Sequence, residues 1–295
     1  SNKDLPEYNT LKNALELRGY AVHGVIVKTA EYALPRHRRR SWIVGVLMCG
    51  TASPTFRTRS VQAVFSDFDH ALNSLRILPP SLETIIFAPD HAIVKNVLED
   101  KLKRASTAPR APITAKAADL AMKQCRLSSK VWARLSVSKK TSSSQWLDFL
   151  TPRERDVVAF NQDQISEDDQ AACHGWDVSQ GMDRTPGTSL HDADPNIIVS
   201  QCLLPGTKFF LVFTDDREGR LLTAEEHLIL QGWPMKGQGL AQTKKFSKSL
   251  MYDLAGNAFS STVCLSVFAS LLFCLEWKEG DNDAGIDGDA EVEDD

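Results

Sequence analysis

Four arginines and one histidine fill the five positions Arg36 to Arg40 of the stretch YALPRHRRRSWIVGV, between Pro35 and a strand-like apolar run. A guanidinium is planar, permanently charged and rich in donors, so it tolerates partial burial and grips a carbonyl or phosphate oxygen with defined geometry. A basic run of this length is also compatible with an import patch or a charged loop. Three further groups of residues have chemical potential. RLLTAEEHLILQGWP places Arg220, Thr223, Glu226, Gln231 and Gly232 around one short helix. Gly256, Asn257 and Ala258 make a small-residue turn before an apolar segment. Residues 101 to 140 hold eleven Lys or Arg against the single acid Asp119, with Trp132 among Arg126, Lys130 and Arg134. That mixture suits contact with a nucleic-acid backbone. No Cys-x-x-Cys pair occurs, and none of the seven histidines pairs with another at ligand spacing, so the pattern supports no metal site.

These residues need elements to hold them. TLKNALELRGY (Thr10 to Tyr20) has the apolar spacing of an amphipathic helix with a glycine stop, and YAVHGVIV then reads as a strand. SWIVGVLMC (residues 41 to 49) is almost wholly apolar, as a strand buried on both faces would be. The arginines occupy the loop between these two strands. From about residue 55 the spacing predicts helices over SVQAVFSDFDHALNSLRIL, HAIVKNVLEDKLKRA and AKAADLAMKQCRL, separated by Pro- and Ser-rich joints. Thr151 lies three residues before Glu154, the spacing of a capping box. Residues 164 to 198 show no sustained period and read as long loops. KFFLVFT reads as a strand. LLTAEEHLILQGWP reads as a helix with Thr223 as N-cap, Glu226 reaching back, Gly232 past its end and Pro234 as a stop. LAGNAFSSTVCLSVFASLLFCLEW predicts a turn and then a buried helix.

At 295 residues the chain can bury a sizeable core. Its net charge of -4 conceals the basic segment at 101 to 140 and an acidic tail at 278 to 295, where nine acids face Lys278. The tail has too little apolar surface to fold alone. Six sparse cysteines argue against a disulfide framework and for a reducing, intracellular compartment. Leu254 to Leu275 carries no charge, but its strongly apolar part begins only at Val263, short of the roughly 20 residues a membrane span needs. No membrane role is expected. The chain opens on Ser1 with its first methionine at Met48, as a fragment or processed piece would.

Three blocks, in order, resemble the C-terminal half of DNA (cytosine-5) methyltransferases. The first is LELRGYAVHGVIVKTAEYALPRHRRRSWIVGV, similar to that family's motif VIII. Tyr32, Pro35, Arg38, Arg40 and Ile43-Val44-Gly45 match, while Ala33 stands at the usual glycine and Arg36 at the usual glutamine. RLLTAEEHLILQGWP resembles motif IX, with Trp233 in place of phenylalanine, and LAGNAFSSTVCLSVFASLL resembles motif X. The resemblance covers residues 10 to 54 and 200 to 276 by motif, and 55 to 199 only by position.

The resemblance implies an α/β fold: an incomplete S-adenosylmethionine-dependent, Rossmann-like methyltransferase domain interrupted by a mostly helical target-recognition insertion. It implies catalytic segments at 1–54 and 200–277, the insertion at 55–199 and a disordered acidic tail at 278–295. Arg40 would grip O2 of an extruded cytosine, with Arg38 steadying the loop and the substrate site. Gly256, Asn257 and Ala258 would line the pocket of S-adenosyl-L-methionine, with Gly256 permitting close backbone approach. Arg36, His37 and Arg39 are extra to the pattern. They are expected either as a solvated or acid-paired loop face or, like Arg126, Lys130 and Arg134, as DNA contacts. Motif IX is expected to be structural, with Glu226 capping its helix and Arg220 bracing the recognition insertion.

The family's Gly-rich cofactor motif, its Pro-Cys nucleophile loop and its Glu-Asn-Val acid do not appear in this sequence, and none of the six cysteines follows a proline. The chain as given is therefore expected to be inactive alone and completed by an upstream half of the same protein. A non-catalytic DNA-binding remnant is the alternative. Lacking sheet neighbours, the Trp42 to Met48 strand and the last helix are expected to leave apolar surface exposed.

Overall fold

The computed structural model describes residues 6–49, 53–107, 144–162, 173–179, 190–191, 194–213, 217–234 and 243–276. Arg126, Lys130, Arg134 and the acidic tail lie outside them, as does the helix expected over AKAADLAMKQCRL. Contacts divide the chain into two compact units. One comprises Ser1–Ile26, Ser41–Ser74 and Val267–Asp295, the other Val27–Arg40 and Leu75–Ser266.

A helix over Pro6–Glu16 ends at Gly19, whose φ of 84° turns the chain into strand β1, Tyr20–Lys28. β1 pairs with β2, Arg39–Leu47. Met48 N donates to Gly19 O and Thr29 N to Arg38 O, so the two strands run antiparallel and the arginine loop is the connection between them. Along β2, Val44 and Val46 are buried while Gly45 and Leu47 are exposed. The strand is thus buried on one face only, correcting the two-faced burial expected from its composition. The reason is its place: among the described residues only β1 pairs with it.

In the first unit the helix Val61–Ser74 turns Val64, Phe65, Phe68 and Leu72 inward, a 3.6-residue stripe. His23 of β1 stacks on Phe65 at 4.9 Å and bonds Asp69 through Nε2 at 2.9 Å. Gly24 leaves room for the Tyr8 ring, whose Cε2 would lie 2.7 Å from a Cβ there.

The second unit is organised on a three-stranded antiparallel sheet in the order β3-β6-β7, formed by Cys173–Asp177, Phe209–Phe213 and Arg220–Leu221. Successive residues of a strand face opposite sides, and in β6 both sides are buried. Phe210 and Val212 join Trp146, Leu150, Val157 and Trp176 in one core. Phe209, Leu211 and Phe213 join Leu82, Leu203 and Leu230 in another. This double burial explains the unbroken apolar run FFLVF. The helices Ala92–Thr107 and Pro152–Gln162 supply the first core with Val94 and Val157. The capping box expected at the start of the latter is present: Thr151 N donates to Glu154 Oε2 at 2.7 Å and Glu154 N to Thr151 Oγ1 at 3.3 Å.

Strand β3 corrects the expectation of loops over 164 to 198, as do β4 and β5, Leu190–His191 and Asp194–Ile198, which pair antiparallel. Residues 55–199, expected to be mostly helical, therefore contain strands as well. CHGWD shows no alternation because all five residues are buried. Its central Gly175 is forced by Phe209, whose ring carbon Cζ would stand 2.8 Å from an added Cβ.

Two helices close the chain, Lys248–Asn257 and Ser261–Phe273. The turn therefore ends one helix before the next begins, which apolar periodicity did not show. The second helix is not the buried element expected. Val263, Val267, Ser270 and Cys274 are buried, while Leu265 is 71% exposed, Phe268 58% and Phe273 80%. With Leu47 and Met48 also exposed, the expectation that this strand and helix leave apolar surface uncovered is met. By length and composition alone, Lys248–Phe273 is long enough and apolar enough to cross a membrane. However, Ala258–Ser260 is non-helical, and lipid does not tolerate exposed irregular backbone.

Candidate functional site

The arginine loop is fixed from both sides by backbone bonds. Ile77 N donates to Glu31 O and Ala33 N to Ile77 O, each at 3.0 Å, anchoring one end. Ser200 N donates to Pro35 O at 2.8 Å and His37 N to Ser200 O at 2.7 Å, anchoring the other. Between these anchors Ala33 adopts φ 62°, left-handed backbone normally reserved for glycine.

Arg36 and Arg38 are buried, whereas Arg39 and Arg40 are exposed. Arg36 has no solvent exposure, and its Nη2 donates to Leu203 O at 2.9 Å. It was expected on a loop face that is solvated or paired with acids, or in contact with DNA phosphate; burial rules out the solvated and phosphate-contact roles in this conformation. Burial, followed by repulsion from Arg38, lowers its pKa to about 10, which leaves it charged at neutral pH. Arg38 Nη1 points to Gly256 O at 3.5 Å, and its pKa is likewise lowered, by burial and then by Arg40. Among the described residues Arg40 Nη1 bonds just the neighbouring Arg39 O, at 3.0 Å, and its guanidinium remains accessible.

Motif IX forms a clamp. Thr223 caps the helix Ala224–Ile229, and Glu226 returns the bond to Thr223 N at 2.7 Å. The same carboxylate pairs with Arg220 through two parallel bonds of 2.8 and 2.6 Å, both side chains being essentially inaccessible. Phe87 N donates to Glu226 Oε1 at 2.8 Å and Phe87 O accepts from Arg220 Nη2 at 2.5 Å. Arg220 and Glu226 thus tie this helix to the backbone at Phe87. The pairing with Glu226 was missed, although their separation across an N-cap was its visible signal. Gly232, at φ 80°, ends the motif.

Motifs IX and X meet where Gln231 Nε2 bonds Ala255 O, Ser261 N donates to Gln231 O at 2.9 Å and Ser261 Oγ to Gly232 O at 3.0 Å. Thr29, at the root of the arginine loop, contacts Ser260 Oγ at 3.2 Å. All three sequence blocks are therefore joined within the second unit. Gly256 does permit a close approach, but by the protein's own backbone: an added Cβ would lie 2.7 Å from Pro205 Cα. Gly256 is therefore required where the end of this helix packs on Leu204 and Pro205. Asn257 is exposed and Ala258 half-buried. No cluster of His, Cys, Asp or Glu suited to a metal ion occurs among the described residues.

This interlocked trio of motifs agrees with the comparison of the sequence with known families, in which the model of the C-5 cytosine-specific DNA methylases matches residues 1–272. The chain belongs to that family. Its members are methyltransferases that act on DNA with S-adenosylmethionine as methyl donor. No curated protein matches the chain.

Proposed function

We propose that this chain is the C-terminal portion of a DNA cytosine-5 methyltransferase. In this reading residues 1–54 and 200–277 belong to the catalytic domain and 55–199 to a target-recognition insertion. The nucleophilic cysteine and the Gly-rich cofactor motif come from sequence before Ser1, and the complete enzyme works in the nucleus or another reducing compartment. The observation that carries the proposal is the lattice joining the arginine loop to the motif X turn through Thr29–Ser260 and Arg38–Gly256. It sets the residues proposed for the base and those proposed for the cofactor on one framework.

The chemistry requires a cytosine to leave the stack, because C5 cannot be reached inside the duplex, at a cost of a few kcal/mol. Arg40 meets the extruded base: it is accessible, charged and lightly bonded, and its N–H groups donate to O2 of the ring. Arg38 acts behind it, its guanidinium turned to Gly256 O, so that the loop and the turn keep a fixed separation. Arg39, also exposed, contacts the neighbouring DNA backbone, and the basic segment with Arg126, Lys130 and Arg134 adds affinity. Asn257 and Ala258 border S-adenosylmethionine, which supplies the methyl group when bound.

The test uses the coding sequence extended upstream to include a Pro-Cys loop, with transfer of labelled methyl to duplex DNA as the readout. The extended protein turns over and the 295-residue chain does not. Turnover by the shorter chain overturns the fragment reading, and an inert extended protein favours a DNA-binding remnant. In the active form Arg40→Ala lowers turnover by about 1–3 kcal/mol, roughly 5- to 150-fold, while bulk DNA affinity changes much less. Equal losses in both would remove Arg40 from the base.

A further inference from the structure

A buried arginine with no acid beside it among the described residues demands an explanation. Arg36 is fully inaccessible; its Nη2 bonds Leu203 O, and its Nε and Nη1 have no hydrogen-bond partner among the described residues. Arg38 and Arg40 oppose its charge, while Cys202, whose side chain hydrogen-bonds it, favours the charged form; Arg40 and Cys202 act on Arg38 in the same opposed senses. None is a carboxylate. A buried charge without a carboxylate partner is among the costlier features a fold can retain. The loop backbone does not need it, because Ser200 already holds that backbone on both sides of Arg36. The nearby His227 offers no countercharge, since an imidazole is neutral or cationic; burial and then Arg36 itself depress its pKa to about 3, leaving the ring neutral.

We propose that Arg36 serves DNA binding from inside the protein, as a fixed positive charge that strengthens the field presented by Arg38, Arg39 and Arg40 without itself touching DNA. Charge behind an exposed cationic rim acts partly through protein, where the dielectric is low and salt does not penetrate, so its field emerges at the rim where a polyanion arrives. Arg36 is thus a positioning residue that acts through its neighbours. The inference rests on the DNA-binding reading above, and its test separates the two.

The experiment measures binding of a labelled duplex of mixed sequence by the intact chain and by Arg36→Gln, over a salt series. A unit charge acting over about 10 Å through a partly aqueous path predicts roughly three- to fivefold weaker binding by the variant at low salt. The difference shrinks as the Debye length falls toward about 8 Å at physiological salt and below. Arg36→Lys, which keeps the charge, binds like the parent at low salt. Arg36→Gln also unfolds at the same or a higher temperature than the parent, because a lone buried charge has been removed. Should the glutamine variant fail to fold, Arg36→Met fills the volume without charge and carries the same expectation. A loss equal at all salt concentrations, or shared by Arg36→Lys, marks a purely structural role and overturns the proposal, as does unchanged affinity. If the parent itself does not bind the duplex, the DNA-binding reading fails first.

Discussion

Ala33 sits at φ 62° in the arginine loop, at a position where the resembling motif has glycine. An L-residue in left-handed backbone brings its Cβ too close to the following carbonyl oxygen, at a cost of about 1–2 kcal/mol. The conformation is imposed from outside, since the Ile77 bonds to Glu31 O and Ala33 N fix the chain before its Cα and the Ser200 bonds to Pro35 O and His37 N fix it after. Ala33→Gly removes the strain without moving those anchors. Against this gain stands the greater freedom of glycine in the unfolded chain, worth about 0.4–1 kcal/mol. The net expectation is a stabilisation of about 0.5–1 kcal/mol, which for a domain of this size raises the midpoint by roughly 1–4 °C. Thermal and urea unfolding followed by circular dichroism measure it. Ala33→Val, which puts a β-branched side chain into the same backbone, unfolds at a lower temperature than the parent. If glycine lowers the midpoint, or valine matches glycine, the strain assigned to Ala33 is wrong.

Two further outcomes follow from buried charge. Glu226→Gln leaves Arg220 charged, inaccessible and without its anion, and costs about 3–5 kcal/mol in urea unfolding. A loss below 1 kcal/mol would show that the pair does not hold Phe87 and the helix cap together. His227 folds with its pKa depressed to about 3, below its unfolded value, so its contribution to stability is complete above about pH 6.5 and is lost as pH falls toward 3. Between pH 7.5 and 5 that loss is about 2 kcal/mol. In His227→Phe the stability curve over this window flattens, and an unchanged slope would place the acid sensitivity elsewhere.

Local sequence carried much of this protein's structure because caps, turns and buried strands act over a few residues. Thr151 with Glu154, Thr223 with Glu226, and the stops at Gly19 and Gly232 were visible as spacing and are present as bonds or positive φ. The order of the three motifs was legible for the same reason. Strand Cys173–Asp177 was not, because a strand buried on both faces shows no alternation, and its glycine answers to Phe209, 34 residues away in the chain.

The arginine cluster divides the two kinds of knowledge most clearly. The sequence alone determined that a dense, permanent positive charge stands before strand β2, and its register separated Arg38 and Arg40 from their neighbours. Only the tertiary structure decided which guanidiniums meet solvent. Ser200, Leu203 and Gly256 come from distant parts of the chain, and by fixing the loop and supplying carbonyls they take Arg36 and Arg38 inside and leave Arg39 and Arg40 outside. Charge is a property of each residue, but burial belongs to whatever the fold packs around it.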